Sequence, residues 1–183
     1  MASIKSGIKF LLTAELSTSQ FWNLRKKLTS SHGIFRRIYS LIYKIYLSRH
    51  NASIPVETQI ADKPVFPHGI AGIFISLGAK IGTNCTIFHQ VTIGSNTLEG
   101  SKHLGAPVIG DNVFIGAGAK IIGGIHVGNN VCIGANCVIS EDIPDGCSVV
   151  MPKPRVIVHD SGREIKFVSW AEYKKGDDSN ETA

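Results

Sequence analysis

Residues 109–139 read IGDNVFIGAGAKIIGGIHVGNNVCIGANCVI, and an aliphatic side chain returns at every sixth position of this stretch. The same spacing runs in a shifted phase from residue 81. Nine of nine such positions hold Ile or Val: Ile81, Ile87, Ile93, Ile109, Ile115, Ile121, Val127, Ile133 and Ile139. Ile, Val and Leu make up 47 of the 183 residues, so chance would fill only about a quarter of these positions. Residues 81–139 therefore form an internal repeat.

The residues between the aliphatics exclude a helix. Apolar spacing in a helix is close to 3.6 residues, and a helix would not tolerate a glycine after most of the aliphatic positions. Polar pairs such as Asp111-Asn112 and Asn129-Asn130 favour turns instead. A six-residue unit with one inward aliphatic, a short strand and a turn can stack into a parallel β-solenoid, in which each rung buries its aliphatic on the next. We therefore predict an all-β-dominated chain built around a solenoid.

The phase of the repeat gives the domain organisation. Weaker units begin near Ile54, and the phase slips between Phe66 and Ile75. Sixteen positions separate Ile93 from Ile109, which is not a multiple of six, so part of the segment SNTLEGSKHLGAP, residues 95–107, must leave the coil as a loop. We predict an N-terminal helical segment over residues 1–50, a solenoid domain over 51–158 with the excursion loop 95–107, and a polar tail over 159–183.

Residues 34–49 predict an amphipathic helix, and residues 3–27 predict a less regular one. Five aliphatic residues share one face of the first: Ile34, Ile38, Leu41, Ile42 and Ile45. We expect these helices to cap the open end of the solenoid. The alternative is a basic helix that rests on a membrane surface, which makes peripheral membrane contact a second expectation.

Composition narrows the class of protein further. An apolar fraction of 43% supports a sizeable core, and the net charge of +5 suits a polyanionic partner such as nucleotide phosphates or an anionic membrane. The basic residues form no patch interleaved with aromatics, so we expect no nucleic-acid binding. No apolar run reaches about 20 residues, and Lys9 interrupts the run from Ile8 to Leu12. We therefore expect a cytoplasmic chain without a signal peptide.

The motifs around the repeat resemble the hexapeptide-repeat acyltransferases, specifically the serine acetyltransferase-like branch that includes many surface-polysaccharide O-acetyltransferases. The resemblance is carried by the hexads, His68, the segment FHQVTIG at 88–94, His103 in the excursion loop, and IGAGAK at 115–120. It implies a left-handed parallel β-helix that assembles as a homotrimer. It also implies that acetyl-CoA, as co-substrate, and an acceptor hydroxyl bind between neighbouring subunits.

The same resemblance assigns catalytic roles to two histidines. His68 occupies the place of the family's catalytic base, and an imidazole with an ordinary pKa near 6.5 suits proton removal from a hydroxyl at neutral pH. His103 is similar to the family's loop histidine, although Ser101, Lys102 and Leu104 replace the usual Asp, Arg and Pro around it. His89 is a candidate substrate contact, and a structural role is its alternative.

Small residues on one edge are the candidates for contact with acetyl-CoA. Ala117 and Ala135 are eighteen residues apart, or three hexads, so they should stack on one corner of a three-sided coil, with Gly118 beside them. Small side chains there let the pantetheine arm approach the backbone. Lys120, Lys153 and Arg155 are candidates for the CoA phosphates, with the alternative that each is a solvated surface charge.

The predicted function is acetyl transfer from acetyl-CoA to a hydroxyl of a sugar in surface-polysaccharide synthesis. The alternative is serine O-acetylation for cysteine biosynthesis. Serine-specific relatives carry an aspartate fifteen residues before the catalytic histidine, whereas this chain has Ser53 there, which favours the sugar. A non-catalytic scaffold and a trimeric zinc carbonic anhydrase share the architecture. The zinc enzyme needs two histidines separated by four residues, and no H-x-x-x-x-H occurs, so we expect no metal.

Overall fold

The computed structural model describes residues 16–159, 162 and 164–170, and the chain divides into two units, Met1–Met151 and Pro152–Ala183. Within the described residues, the first unit contains two helices, α1 (Thr18–Ser30) and α2 (Gly33–Arg49), and twelve short strands. The strands are β1 (Gln59–Ile60), β2 (Phe74–Ile75), β3 (Lys80–Ile81), β4 (Thr86–Ile87), β5 (Thr92–Gly94), β6 (Val108–Ile109), β7 (Phe114–Ile115), β8 (Lys120–Ile122), β9 (His126–Val127), β10 (Cys132–Ile133), β11 (Val138–Ile139) and β12 (Ser148–Val149).

The strands form three parallel sheets that the chain visits in rotation. Sheet 1 has the order β2-β5-β8-β11, sheet 2 the order β1-β3-β6-β9, and sheet 3 the order β4-β7-β10-β12. From β2 to β11 each successive strand joins the next sheet, so that every third strand returns to the same sheet one turn later. The isolated bridges of Val65 with Thr86 and of Val127 with Ile143 take the place of a strand before β2 and after β11. This is a three-sided parallel β-helix, which confirms the predicted solenoid.

The length of each turn shows where residues leave the coil. A regular turn takes eighteen residues, as in the pairing of Val108 with His126. The pairing of Lys80 with Val108 spans 28 residues, and the ten additional residues form a hairpin closed by backbone hydrogen bonds of 2.8 Å in both directions between Asn96 and Gly105. The excursion loop is therefore present as predicted.

The phase slip near residue 70 is a second insertion. Val65 pairs with Thr86, 21 residues later, and the chain then takes nine residues to pass from Val65 in sheet 3 to Phe74 in sheet 1. The same passage takes six residues from Thr86 to Thr92 one turn later. Three additional residues thus enlarge the corner at 66–73, which we call the enlarged corner. It contains His68.

The aliphatic residues of the repeat form the core. All nine predicted positions are at most 4% exposed, and in sheet 1 Ile93, Ile121 and Ile139 stack in register. Burying an aliphatic side chain of this size stabilises the fold by about 1.5–3 kcal/mol. The repeat is therefore held by a continuous column of aliphatic contacts.

The polar pairs of the hexads form the corner between sheets 2 and 3. Asn84, Asn112 and Asn130 have left-handed backbone angles, with φ of 51°, 55° and 56°, which asparagine adopts more readily than most residues. Their side-chain amides bond to one another from turn to turn at 2.7 and 3.2 Å. These asparagines therefore close the turns and link successive rungs.

Helices α1 and α2 pack on the first turn of the coil. Phe21 is fully buried, and the Trp22 ring stacks on Phe66 with centroids 6.1 Å apart. The Arg25 guanidinium donates to the carbonyl oxygens of Val56 and Thr58 at 2.9 and 2.7 Å. The Tyr43 hydroxyl donates to the carbonyl oxygen of Ile54 at 2.8 Å, and burial raises the pKa of Tyr43 far above its ordinary value. The helices therefore cover the end of the solenoid.

The face of α2 that packs is mainly aromatic, and of the five expected aliphatic residues it includes Ile42. Tyr43 and Tyr46 are buried and Tyr39 packs against the core, whereas the side chains of Ile34 and Leu41 are 63% and 61% exposed. The aromatic side chains pack on the solenoid because their hydroxyls can reach backbone carbonyls that would otherwise be buried without a donor. The predicted helix over residues 3–27 falls partly outside the described residues, and α1 is the part that is described.

The second unit has little regular structure in its described part, where residues 152–159 have no helix or strand. The predicted tail at 159–183 lies largely outside the described residues. The domain boundaries at 50 and 158 stay predictions. Across 16–159 and the few described positions beyond it, no helix is long and apolar enough to cross a membrane.

We predict that Ile121→Ala lowers the free energy of unfolding by about 2–5 kcal/mol, because it leaves a cavity between Ile93 and Ile139. Urea unfolding followed by circular dichroism measures the loss. Leu98→Ala, at a position 72% exposed in the excursion loop, is the control and should change the free energy by no more than about 0.5 kcal/mol. Equal losses in the two variants would contradict the column of stacked aliphatics.

Candidate active site

The corners between sheets 3 and 1 stack into one edge, which we call the histidine edge. It consists of the enlarged corner 66–73 and the corners 88–91, 116–119 and 134–137. Backbone N–H groups link each corner to its neighbour: Gln90 donates to Ala71 at 2.9 Å, Gly118 to His89 at 3.0 Å, and Asn136 to Ala117 at 2.8 Å. Residues from four turns of the coil are thereby held along one line.

His68 lies outside the coil at the start of the histidine edge. Its side chain is exposed, because the three additional residues of the enlarged corner project it while Phe66, Ile70 and Ile73 fill the interior. The His68 ring is 5.5 Å from the Phe88 ring and 5.4 Å from the His89 ring, both edge-on. In the described part of the chain its ring nitrogens make no hydrogen bond. This imidazole is therefore accessible to a substrate.

His89 is brought next to His68 because the first turn is 21 residues long, which is also their separation in sequence. The side chain is half-buried, and its Nδ1 atom is buried with no hydrogen-bond partner within the described chain. The length of the slipped turn was the one signal in the sequence that could have paired the two histidines. The structure therefore places His89 beside the candidate base, and its contact with substrate stays a prediction.

His103 lies at the other edge of sheet 1, in the hairpin between β5 and β6. Its carbonyl oxygen accepts a bond from the Gly124 N–H at 3.0 Å, and its Nε2 atom is buried without a partner in the described part of the structure. Sheet 1 separates it from His68. A single chain therefore does not bring the two predicted catalytic histidines together.

The predicted acetyl-CoA contacts Ala117, Gly118 and Ala135 lie on the histidine edge, two and three corners beyond His68. The backbones approach closely there, since a Cβ added to Gly116 would be 2.6 Å from the Ala135 amide nitrogen. Gly118 has φ of 71°, and an added Cβ would collide with the Asn136 side chain. The structure confirms that residues 117 and 135 stack on one corner. Their contact with acetyl-CoA stays a prediction.

The three predicted phosphate-binding cations are in different settings. The Lys120 ammonium donates to the carbonyl oxygens of Gln90 and Gly118, both at 2.8 Å, and so ties two corners of the histidine edge together. This structural role of Lys120 was not predicted from the sequence. Lys153 and Arg155 have exposed side chains in the second unit.

The sequence predicts no metal centre. Among residues 16–159 and the other described positions, no three His, Cys, Asp or Glu side chains are grouped as ligands of a metal ion. The histidine edge itself presents an exposed imidazole, a neighbouring half-buried imidazole and a row of small residues.

Comparison with known families identifies the repeat. Residues 106–141 match the family model of the bacterial transferase hexapeptide (six repeats). This part of the chain is therefore similar to the transferase hexapeptide repeat, in agreement with the resemblance and with the three-sided coil.

Known proteins similar to the chain are serine acetyltransferases. That of Helicobacter pylori is 42% identical over 94 residues, which cover 51% of this chain and 53% of the relative. That of Bacillus subtilis is 32% identical over 141 residues, 74% of this chain and 63% of the relative. A solved structure, serine acetyltransferase isoform 3 of Entamoeba histolytica in complex with cysteine, has a TM-score of 0.57 at 33% identity and covers 68% of this chain and 44% of that chain.

These matches support an acyltransferase of the hexapeptide-repeat family. They do not support the surface-polysaccharide branch, since the similar proteins are serine acetyltransferases. The chain spans between about half and about two thirds of the length of these two curated relatives. The match to the Bacillus subtilis enzyme takes in 74% of the chain and so must include about residues 50–134, which contain His68, His89 and His103.

We predict that Lys120→Met lowers the free energy of unfolding by about 1–2 kcal/mol, because two carbonyl oxygens lose a charged donor. Lys80→Met is the matched control, since Lys80 is exposed on sheet 2 and should change the free energy by no more than about 0.5 kcal/mol. Urea unfolding measures both variants. Unchanged stability of Lys120→Met, together with a raised KM for acetyl-CoA, would contradict the structural role and favour the phosphate contact.

Proposed function

We propose that this chain is an acetyl-CoA-dependent O-acetyltransferase whose acceptor is the hydroxyl of L-serine, a reaction that belongs to cysteine biosynthesis. The observation that carries the proposal is the exposed His68 imidazole, aligned on one edge with Ala117, Gly118 and Ala135, within a region that serine acetyltransferases match. The left-handed sense of the coil, which the family resemblance implies, is part of the same proposal. L-serine thus replaces a sugar hydroxyl as the preferred acceptor.

The proposed reaction is a direct transfer. The His68 imidazole accepts the proton of the serine hydroxyl while the hydroxyl oxygen bonds to the thioester carbonyl carbon. The resulting tetrahedral species expels the CoA sulfur, which takes a proton from the imidazolium, so that O-acetylserine and CoA leave and the histidine returns to its starting state. No covalent enzyme intermediate is needed, since the thioester is already activated. General-base catalysis of this kind contributes about 10²–10⁴-fold.

The small residues of the histidine edge supply the proposed acetyl-CoA track. Ala117, Gly118 and Ala135 leave the backbone open to a close ligand, and the corner hydrogen bonds keep that surface rigid. A rigid track can hold the thioester near His68 without reorganisation, which is the main contribution of positioning to a two-substrate reaction.

The position of His103 supports a site shared between chains. His68 and His103 lie at opposite edges of sheet 1, so one chain cannot present both to one substrate. In a cyclic trimer, one edge of a chain faces the other edge of its neighbour. We therefore propose that the homotrimer implied by the resemblance joins His68 of one subunit to His103 of the next.

A sugar hydroxyl is the second candidate acceptor, and Ser53 is the observation that favours it. Ser53 is exposed and pairs with Phe74 at the start of sheet 1, next to the enlarged corner. A hydroxyl at this position cannot compensate the charge of a substrate amine as a carboxylate would.

The acceptor test incubates the protein with acetyl-CoA and either L-serine or a panel of monosaccharides, and follows the release of CoA thiol. We expect the highest kcat/KM with L-serine. Efficient thiol release with a sugar and none with serine would overturn the serine proposal while leaving the acetyltransferase intact.

We predict that His68→Ala lowers kcat by about 10²–10⁴-fold without loss of fold, because the general base is removed. His126→Ala is the matched control, since His126 is exposed on sheet 2, away from the histidine edge, and should retain full activity. Thiol release under saturating substrates gives kcat, and circular dichroism checks the fold. A His68→Ala variant with the rate of the unaltered protein would eliminate this base.

We also predict that inactive His68→Ala and His103→Ala chains complement one another. After denaturation together and refolding at equal amounts, about a quarter of the shared sites would combine an intact His68 with an intact His103 from the neighbouring subunit. Refolding each variant alone is the control. No gain of activity in the mixture, with trimers verified by light scattering, would contradict a site shared between chains.

A further inference from the structure

Helix α2 has a second apolar face that the solenoid does not use. We call Ile34, Ile38, Leu41 and Ile45 the aliphatic face, and three of these side chains are 63%, 46% and 61% exposed in that order, while Ile45 is half-buried. The core is already filled by Tyr43 and Tyr46 on the other side of the helix. Large apolar surfaces left open on a folded protein commonly mark interaction sites.

A basic groove runs beside the aliphatic face. It is a shallow, open depression of about 490 Å³ on the surface of α2, lined by Gly33, Arg36, Arg37, Ser40, Leu41 and Lys44. Leu41 belongs to both surfaces, so the cations and the aliphatic side chains adjoin along the helix. Arg37 and Lys44 flank the aliphatic face on one side, and Arg49 flanks it on the other by helical spacing.

The positive charge of the chain is concentrated in residues 16–56, which contain α1 and α2. Residues 16–56 contain no Asp or Glu and hold seven cations: Arg25, Lys26, Lys27, Arg36, Arg37, Lys44 and Arg49. The rest of the chain keeps 12 of the 19 Lys and Arg against all 14 Asp and Glu. Residues 16–56 therefore carry a charge of +7, and the remainder carries −2, which gives the net charge of +5.

We propose that α2 binds the surface of an anionic phospholipid bilayer, with lipid phosphates in the basic groove and the aliphatic face among the upper acyl chains. This inference goes beyond the proposed function and does not depend on it. A helix with an apolar face flanked by cations lies in the membrane interface, and each cation near an anionic surface adds to the attraction. The aromatic face stays on the solenoid through the bond from Tyr43 to Ile54.

Two other occupants fit the charges and chemistry less well. A second copy paired through the same face would bring two acid-free segments of seven cations each together, and like charges without counter-charges repel. A nucleic acid would match the cations, but it offers nothing to Ile34, Ile38 and Leu41, because single strands are bound by stacking on aromatic side chains. An anionic bilayer matches both surfaces at once.

The experiment measures co-sedimentation of the full-length protein with vesicles at 0.1 M NaCl. One set of vesicles is phosphatidylcholine alone, and the other contains phosphatidylcholine and phosphatidylglycerol at 7:3. We expect binding to the anionic vesicles and at least tenfold weaker binding to the neutral ones. Arg37→Gln/Lys44→Gln should weaken binding to the anionic vesicles by about 30-fold, and Ile38→Ser/Leu41→Ser by about tenfold or more.

Two matched controls separate these effects from net charge and general hydrophobicity. Lys80→Gln/Lys102→Gln removes the same charge from the solenoid, and Leu77→Ser removes an aliphatic side chain that is 59% exposed there. Both should bind like the unaltered protein. Equal weakening by the charge control, or full binding by Ile38→Ser/Leu41→Ser, would overturn the proposal. Light scattering of Ile38→Ser/Leu41→Ser gives a further test. A lower particle mass with unchanged vesicle binding would also overturn the proposal, because it would identify a second copy of the chain as the occupant of the aliphatic face.

Discussion

In-register stacking of aliphatic side chains between parallel rungs is the interaction on which the rest of this molecule depends. The strands are two or three residues long, too short to be stable alone, so each rung persists only because its Ile or Val is buried on the rungs before and after it. This stacking demands a constant cross-section. Residues that do not fit the cross-section must leave the coil at a corner.

The two insertions that lengthen the eighteen-residue turn carry the features that matter for function. Three additional residues enlarge the corner at 66–73 and expose His68, and ten additional residues form the hairpin that contains His103. Both insertions border sheet 1, at opposite edges. The regular turns between them supply a rigid spacer lined by Ala117, Gly118 and Ala135. The proposed chemistry thus depends on irregular corners held at fixed separation by regular ones.

The helical segment closes the end of the solenoid with one face and leaves another open. Phe21, Tyr43 and Tyr46 form the buried contact, in which the Tyr43 hydroxyl satisfies a backbone carbonyl. The open face combines aliphatic residues with cations, and residues 16–56 contain no Asp or Glu. A cap needs only one apolar face. The second apolar face of α2 is not needed for the fold and is therefore available to a partner.

Much of the fold could be predicted from the sequence, because hexad spacing depends only on which residues are apolar. The nine aliphatic positions, the loop at 95–107 and the stacking of residue 117 on residue 135 all follow from counting. The side of α2 that packs could not be predicted, since Ile34 and Tyr43 are both apolar, and only the carbonyl oxygen of Ile54 near the helix distinguishes them. The pairing of His68 with His89 also required the tertiary structure. This pairing depends on how many residues of the enlarged corner lie outside the coil. The close packing of Phe66, Ile70 and Ile73 inside the coil determines that number.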